Sequence, residues 1–509
     1  MQMGLAMSGI DRRRFLRGAA VSGAAAAAMA AGPGAAWANS GRGDEQRRTP
    51  NDPEAPGASP GWEVPESTLP ADPADNPIEH IGVLMMENRS YDTYLGWLDG
   101  GRGFLNLGLD ITYTDPDDPT VSASPEHWAP KYRRCGHPDP GHNWTEGRKQ
   151  LRDGFLAGRN DEYALAYYLA EDISTYARIA RQFTVFDRYF CSVLAGTYPN
   201  RHYQHSAEGG GIKTNQFPIE PQHIGVPPGF QWPTIWDRLD EAGISSAYYF
   251  VDLPFIAMYG LRHLSKMRPI SQFFADAAAG TLPHVYFVEP GFLGDHRTDD
   301  HPGGADINAA QAYVNNIVNA VIRGPQWERQ ALFINYDEWG GFFDHVTPPR
   351  VPDDRASDDL DEDWSQLGFR LPTMAISPYS RTGYVHHDGP YEHTSILKFI
   401  EYRWELEPLT TRDAHAKNIG ECFDYDRAPR LEYGIDQMET PTIYQSTGCD
   451  TGPPAPDDFE RFAESSYLRS LGVEVGEPSL DEIFGNTAAV TDAATGASLP
   501  ATRLQMPSR

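Results

Sequence analysis

Ile81-Gly82-Val83-Leu84-Met85-Met86-Glu87-Asn88 is an apolar run that stops on a carboxylate and a carboxamide. A short, unbroken apolar stretch of this kind predicts a strand buried on both faces, as in a parallel sheet. The pattern returns at Ala331 to Tyr336, followed by Asp337-Glu338, and at His284 to Val288, followed by Glu289. Ser246 to Val251 and Thr373 to Ile376 read as two further strands, the second ending on Ser377-Pro378. Ligands of open α/β sheets bind beyond the carboxyl ends of the strands, so polar groups stationed there are placed for a site. An acidic residue at one strand end more commonly opens a solvated loop. Two strands that each end in adjacent oxygen donors shift the reading towards a site.

Working outward, Ala309 to Ile322 and Thr394 to Trp404 have helical apolar spacing and predict helices that cover this sheet. Short apolar runs and helical patterns alternate from Ile78 onward, which predicts an α/β domain over residues 78–430, with a central, mostly parallel sheet flanked by helices. Residues 39–77 are rich in Pro, Gly, Asp and Glu and predict a disordered linker. Residues 431–509 read as an irregular extension packed on the core, with one helix from Asp457 to Leu468 and a frayed end.

Residues 1–38 join Arg12-Arg13-Arg14 to an Ala-rich apolar stretch that closes on Ala36-Trp37-Ala38, the parts of a twin-arginine export signal. The expected location is extracellular, periplasmic or associated with the cell envelope. No later run is long and apolar enough to predict a stable membrane span. The net charge is -29, and -32 once the four arginines and one aspartate of residues 1–38 are removed. Such acidity disfavours nucleic acid and anionic membranes as partners and leaves zwitterionic lipid open. Cys135, Cys191, Cys422 and Cys449 have no zinc-finger spacing, and export allows one disulfide, with Cys422 and Cys449 as the candidate pair.

Four groups of residues could carry chemistry. Glu87-Asn88 and Asp337-Glu338 offer oxygen donors for a hard divalent cation if their strands are neighbours, and that many carboxylates together need a cation between them. Gly196-Thr197-Tyr198-Pro199-Asn200-Arg201 precedes a helical pattern, where free backbone N–H groups can hold a phosphate and Asn200 and Arg201 can clamp its oxygens. Thr197 also has the position of an ordinary N-cap, and taken locally that is the stronger reading. His142 and His301 lie in polar, turn-rich segments and are better catalytic candidates than His137, His386, His387 or His393.

Glu87 to Gly96 resembles the E-N-R-S-F-D-x-x-x-G signature of the bacterial phosphoesterase family that contains phosphatidylcholine-type phospholipases C and respiratory-burst-inhibiting acid phosphatases. Gly141-His142-Asn143-Trp144, Thr197 to Arg201, Asp300-His301-Pro302, Asp337 to Val346 and Ile376 to Arg381 resemble its later blocks, in the same order. Tyr91 stands for the usual Phe, Thr93 for a frequent His, and Gly196 for a common Pro.

The resemblance implies an alkaline-phosphatase-like fold and a divalent metal ion bound by Glu87, Asn88, Thr197, Asp337 and Glu338. It further implies Thr197 as nucleophile and His142 and His301 lining the phosphate site. Oxygen donors point to Ca, Mg or Mn, and Zn and Fe also accept carboxylates. The expected reaction is hydrolysis of a phosphate ester through a phospho-threonine, with either histidine serving the leaving group. Phospholipase C-type cleavage of a phospholipid is the leading expectation, a broad acid phosphatase the alternative, and a non-catalytic exported binding protein the remote one. Related sulfatases need a Cys or Ser where Thr197 stands. Tyr248-Tyr249-Phe250, Tyr384 and Tyr391 offer an aromatic cage for a choline cation, against the commoner reading as core.

Overall fold

The structure is a computed structural model. It describes residues 68–158, 160–218, 229–294, 297–302, 306–432, 443–444, 458–473, 475, 478–484, 489–491 and 498–500. The export signal, Cys449 and most of the linker lie outside the described residues. Residues 68–77, expected as linker, are instead docked on the domain: the Tyr402 hydroxyl donates to the Pro70 carbonyl, and the Thr68 hydroxyl donates to the carbonyl of Phe423.

Eight strands form the main sheet: β1 (His80–Met86), β2 (Thr184–Phe186), β3 (Ser246–Phe250), β4 (Met267–Pro269), β5 (Val285–Val288), β6 (Gln330–Tyr336), β7 (Thr373–Ile376) and β8 (Tyr384–His386). Their order is β8-β2-β7-β6-β1-β5-β3-β4. Every strand runs parallel to β1 except β7, which pairs antiparallel with β6 and with β2. The reversal corrects one expectation. The carboxyl end of β7, and with it Ser377-Pro378, points to the edge of the sheet opposite Glu87 and Asp337.

β1 and β6 are buried along their whole length, which is why both read as unbroken apolar runs. Gly82 is required inside β1, because a Cβ there would lie 2.3 Å from the ring of Tyr286 on β5. Helices cover the sheet. They are α1 (Tyr91–Leu95), α2 (Trp144–Asp153), α3 (Ser174–Gln182), α4 (Thr197–Ser206), α5 (Ile235–Glu241), α6 (Ile270–Ala279), α7 (Ile307–Arg323), α8 (His393–Trp404) and α9 (Thr411–His415).

The helix expected over 457–468 is two short helices, α10 (Asp458–Ala463) and α11 (Ser466–Leu471), the second capped by Ser465. Phe459, Phe462, Tyr467 and Leu468 of this pair are buried in the main core.

The cage of aromatic residues does not assemble. Tyr248 and Tyr249 lie on β3, whereas Tyr384 is on β8, with five strands between them, and Tyr391 is buried against Phe186 on that far flank. The cysteine expectation also changes. Cys422 is a buried free thiol, as is Cys191, and Cys135 is the cysteine engaged in a disulfide. Among the described residues, no helix is long and apolar enough to cross a membrane.

Candidate active site

The register of the central pair builds the site. Met86 of β1 pairs with Tyr336 of β6, so Glu87 and Asp337 leave the sheet side by side. The two loops then cross in close contact. Asn88 takes a left-handed backbone (φ 60°), its N–H donates to Asp337 Oδ1 at 3.1 Å, and a Cβ on Gly340 (φ 66°) would lie 2.4 Å from the Asn88 carbonyl oxygen. Asn tolerates that φ and Gly340 permits the approach.

Glu87, Asn88, Asp337 and Glu338 are all fully buried. Three of their oxygens, Glu87 Oε2, Asn88 Oδ1 and Glu338 Oε1, have no hydrogen-bond partner. A buried orphan acceptor is costly, and oxygens of this kind are the donors that a hard divalent cation takes. Burial, then the charge of Asp337, pushes Glu87 well above the usual carboxylate range, and burial takes Glu338 to about 8.

Helix α4 begins at Thr197, and its N-cap is Gly196, so Thr197 is the first helical residue and has no capping duty. The local N-cap reading is therefore corrected. The helix end is also less open than the sequence implied. The N–H of Tyr198 donates to Asn215 Oδ1 at 2.9 Å and Pro199 has none, which leaves the N–H of Thr197 as the donor of this turn that can face an anion.

Arg201 follows Thr197 by four residues and lies below it on the same face of the helix. Its guanidinium is fully buried and reaches Glu289 Oε2 at 2.6 Å, Glu87 Oε1 at 3.1 Å and Asp337 Oδ2 at 3.3 Å. Phe292 covers it at 5.0 Å. The side chain of Asn200 is spent on the preceding loop, accepting from Val193 N–H and donating to the carbonyls of Val193, Ala195 and Gly196. Both residues thus build the site from beneath, and neither side chain is turned to grip a phosphate.

His142 and His301 come together with ring centroids 6.0 Å apart. Nδ1 of His142 donates to the Pro140 carbonyl at 2.6 Å, and Nε2 faces Asn88 at 3.4 Å and Glu338 at 3.6 Å. Burial alone would lower its pKa, but Glu338 and then Asp139 hold it up at about 9. Burial takes His301 down to about 3. The loop that carries His301 is pinned to the first strand end, since Glu87 N–H donates to the Asp299 carbonyl and Arg89 to that of Asp300. The other histidines hold structure. His393 contacts the Asp337 carbonyl at 2.8 Å from below, His137 pairs with Asp161, His386 with Tyr391 and His387 with Asp187.

Sequence reasoning passed over several participants. Glu289 ends β5 and was visible as a strand end, but its pairing with Arg201 was not. Asp139 joins His142 and His301 in a group whose ligand atoms lie within 4.8 Å of one another. Asp92, Asp344 and His345 form a second such group, already neutralised by Arg370, which reaches Asp344 at 2.8 Å and Asp92 at 3.2 Å. That group ties α1 to the loop after β6. Thr93 is buried against the Ser90 hydroxyl at 2.8 Å.

Comparison with known proteins makes the chain a hydrolase of phosphoric ester bonds. The chain belongs to the Phosphoesterase family, whose sequence model matches residues 78–407. It is 32% identical over 395 residues to the non-specific phospholipase C1 of Arabidopsis thaliana, covering 70% of this chain and 73% of that protein. It is 30% identical over 422 residues to phospholipase C B of Mycobacterium tuberculosis, covering 69% and 78%. Among solved structures it is similar to a protein of the alkaline phosphatase superfamily from Vibrio parahaemolyticus, with a TM-score of 0.33, 8% identity and coverage of 69% and 71%.

Proposed function

We propose that the protein is an exported, metal-dependent phosphoesterase that cleaves phosphodiesters in the manner of a phospholipase C, through a phospho-threonine intermediate. The observation that carries this reading is the place of Thr197, first in its helix, free of capping and one turn above the Arg201 that binds Glu87 and Asp337. Relatives named as phospholipases C support the diester over the monoester.

Glu87, Asn88, Asp337 and Glu338, with Thr197, would hold the divalent cation, which supplies charge neutralisation and a more acidic hydroxyl at the threonine. Thr197 Oγ1 then releases its proton to solvent and attacks phosphorus as the bond to the leaving oxygen breaks. The Thr197 N–H, at the positive end of α4, steadies charge on the phosphoryl oxygens. His142, kept protonated by Glu338 and Asp139, gives a proton to the departing alcohol and, once neutral, takes one from the water that cleaves the phospho-threonine, with His301 beside it. Arg201 keeps Glu87 and Asp337 in place.

Thr197→Ala tests the mechanism, with loss of turnover expected at unchanged stability. Full activity in that variant would overturn it. The diester preference is tested by comparing nitrophenyl phosphorylcholine with nitrophenyl phosphate, and a strong preference for the monoester would replace the phospholipase reading with a broad acid phosphatase.

A further inference from the structure

We propose that Asn215 and Asp458 form a positioning pair for the nucleophile, which makes the C-terminal extension a working part of the active site. The inference rests on the reading of Thr197 given above.

Residue 215 lies in the loop after α4, and Asp458 begins α10 in the extension. The two meet at the first turn of α4. Asn215 Oδ1 accepts from the Tyr198 N–H at 2.9 Å, and Asn215 Nδ2 donates to Asp458 Oδ2 at 2.5 Å. Asp458 also holds Tyr198 from its other end, because its carbonyl accepts from the Tyr198 hydroxyl at 2.7 Å. The residue next to the nucleophile is therefore gripped twice by one residue of the extension, directly at the hydroxyl and through Asn215 at the backbone.

The chemistry of the pair explains why Asp458 is needed. A carboxylate only accepts hydrogen bonds, so it dictates that the NH2 of Asn215 faces Asp458 and the oxygen faces Tyr198. With that partner gone, the carboxamide is free to turn over and present a donor to the Tyr198 N–H. Gly196 brings no side-chain cap of its own, so this borrowed one sets the turn. A Cβ at that glycine would lie 3.5 Å from Asn215 Oδ1 and 3.5 Å from the His142 carbonyl, which places Gly196 between the cap and the histidine loop.

Apolar packing keeps Asp458 in position. Its neighbour Phe459 stacks on Phe292 at 4.0 Å and meets the Tyr198 ring edge-on at 5.4 Å. Phe292 and Phe459 also cover the Arg201 guanidinium. One short helix of the extension thus closes over the residue after Thr197 and over the cation four residues beyond it.

The test uses the full-length enzyme with Asn215→Ala, Asp458→Ala, Asp458→Asn and the double alanine variant. Steady-state hydrolysis of nitrophenyl phosphate and nitrophenyl phosphorylcholine is measured beside thermal unfolding. Each single alanine variant should lower kcat about tenfold or more with KM within about twofold, as displacement of a nucleophile does. The double variant should be no worse than either single one, since both break the same linkage. Asp458→Asn keeps an acceptor oxygen and should recover most of the rate. Wild-type kcat in folded Asp458→Ala or Asn215→Ala would overturn the proposal. So would variants that lose Tm and active fraction alone, with Asn at 458 no better than Ala. Either alanine variant suffices if the other fails to fold. A wild-type protein inert towards both esters would instead sink the phosphoesterase reading, and this proposal with it.

Discussion

The guanidinium of Arg201 lies 2.6 Å from the carboxylate of Glu289, and both side chains are buried beneath the strand ends that form the site. Glu87 and Asp337 share the same cation, so its removal strands three carboxylates in the core. Breaking a buried ion pair by deleting one partner costs about 3–5 kcal/mol. Arg201→Ala is expected to lose at least that much in urea unfolding, and Arg201→Lys to recover little, because one ammonium cannot reproduce three separate guanidinium contacts. A phosphate clamp would behave differently, with wild-type stability and a raised KM.

The orphaned oxygen of Asn88 gives a prediction about metal retention. Asn88→Gly keeps the left-handed backbone that this turn needs and removes only the carboxamide, whereas Asn88→Ala also introduces strain at φ 60°. The glycine variant is expected to fold with a Tm near that of the metal-free wild type. It should retain substantially less divalent metal than wild type after dialysis, read by elemental analysis. Equal metal content in both proteins would remove Asn88 from the ligand set.

The sequence carried the centre of the sheet because β1, β3, β5, β6 and β7 are apolar runs with polar punctuation. It did not carry β2, β4 or β8, which are three residues each and too short to show a period, the second ending in Pro269. The reversal of β7 was equally hidden, since strand direction depends on how the connection runs. At the site, Glu87-Asn88 and Asp337-Glu338 were legible because adjacent residues leave adjacent strands together. Arg201 was legible as a residue and not as a role. A cation four residues after Thr197 points down the helix towards whatever lies below, and those partners come from three different strands. Asn215 and Asp139 gave no signal, as loop residues acquire meaning only from what the fold sets beside them.

Cysteine accessibility checks the core packing. Cys191 donates from Sγ to the Phe369 carbonyl at 3.1 Å, and burial pushes both its thiol and that of Cys422 well above the usual range. A thiol with little thiolate and no access to solvent is inert. Neither cysteine is expected to take iodoacetamide in the native protein at pH about 8, and both should be alkylated in denaturant. Mass spectrometry of the labelled peptides separates them from Cys135, which is engaged in a disulfide.

Glu401 on α8 should make stability fall with rising pH. It is buried on the helix and shares its surroundings with Asp413, with Lys398 and Arg238 as weaker compensating charges. Burial, then the Asp413 carboxylate, raises it from its ordinary 4.5 to about 9. Below 4.5 the group is protonated in both the folded and the unfolded chain, and its contribution to stability is complete. Between 4.5 and about 9 the unfolded chain has released the proton and the folded one retains it, so each step up in pH favours unfolding. Glu401→Gln, neutral throughout, is expected to flatten the decline in urea midpoint between pH of about 5 and about 9 while leaving turnover unchanged. A variant whose midpoint falls as steeply as that of the wild type would show that Glu401 ionises freely in the folded protein.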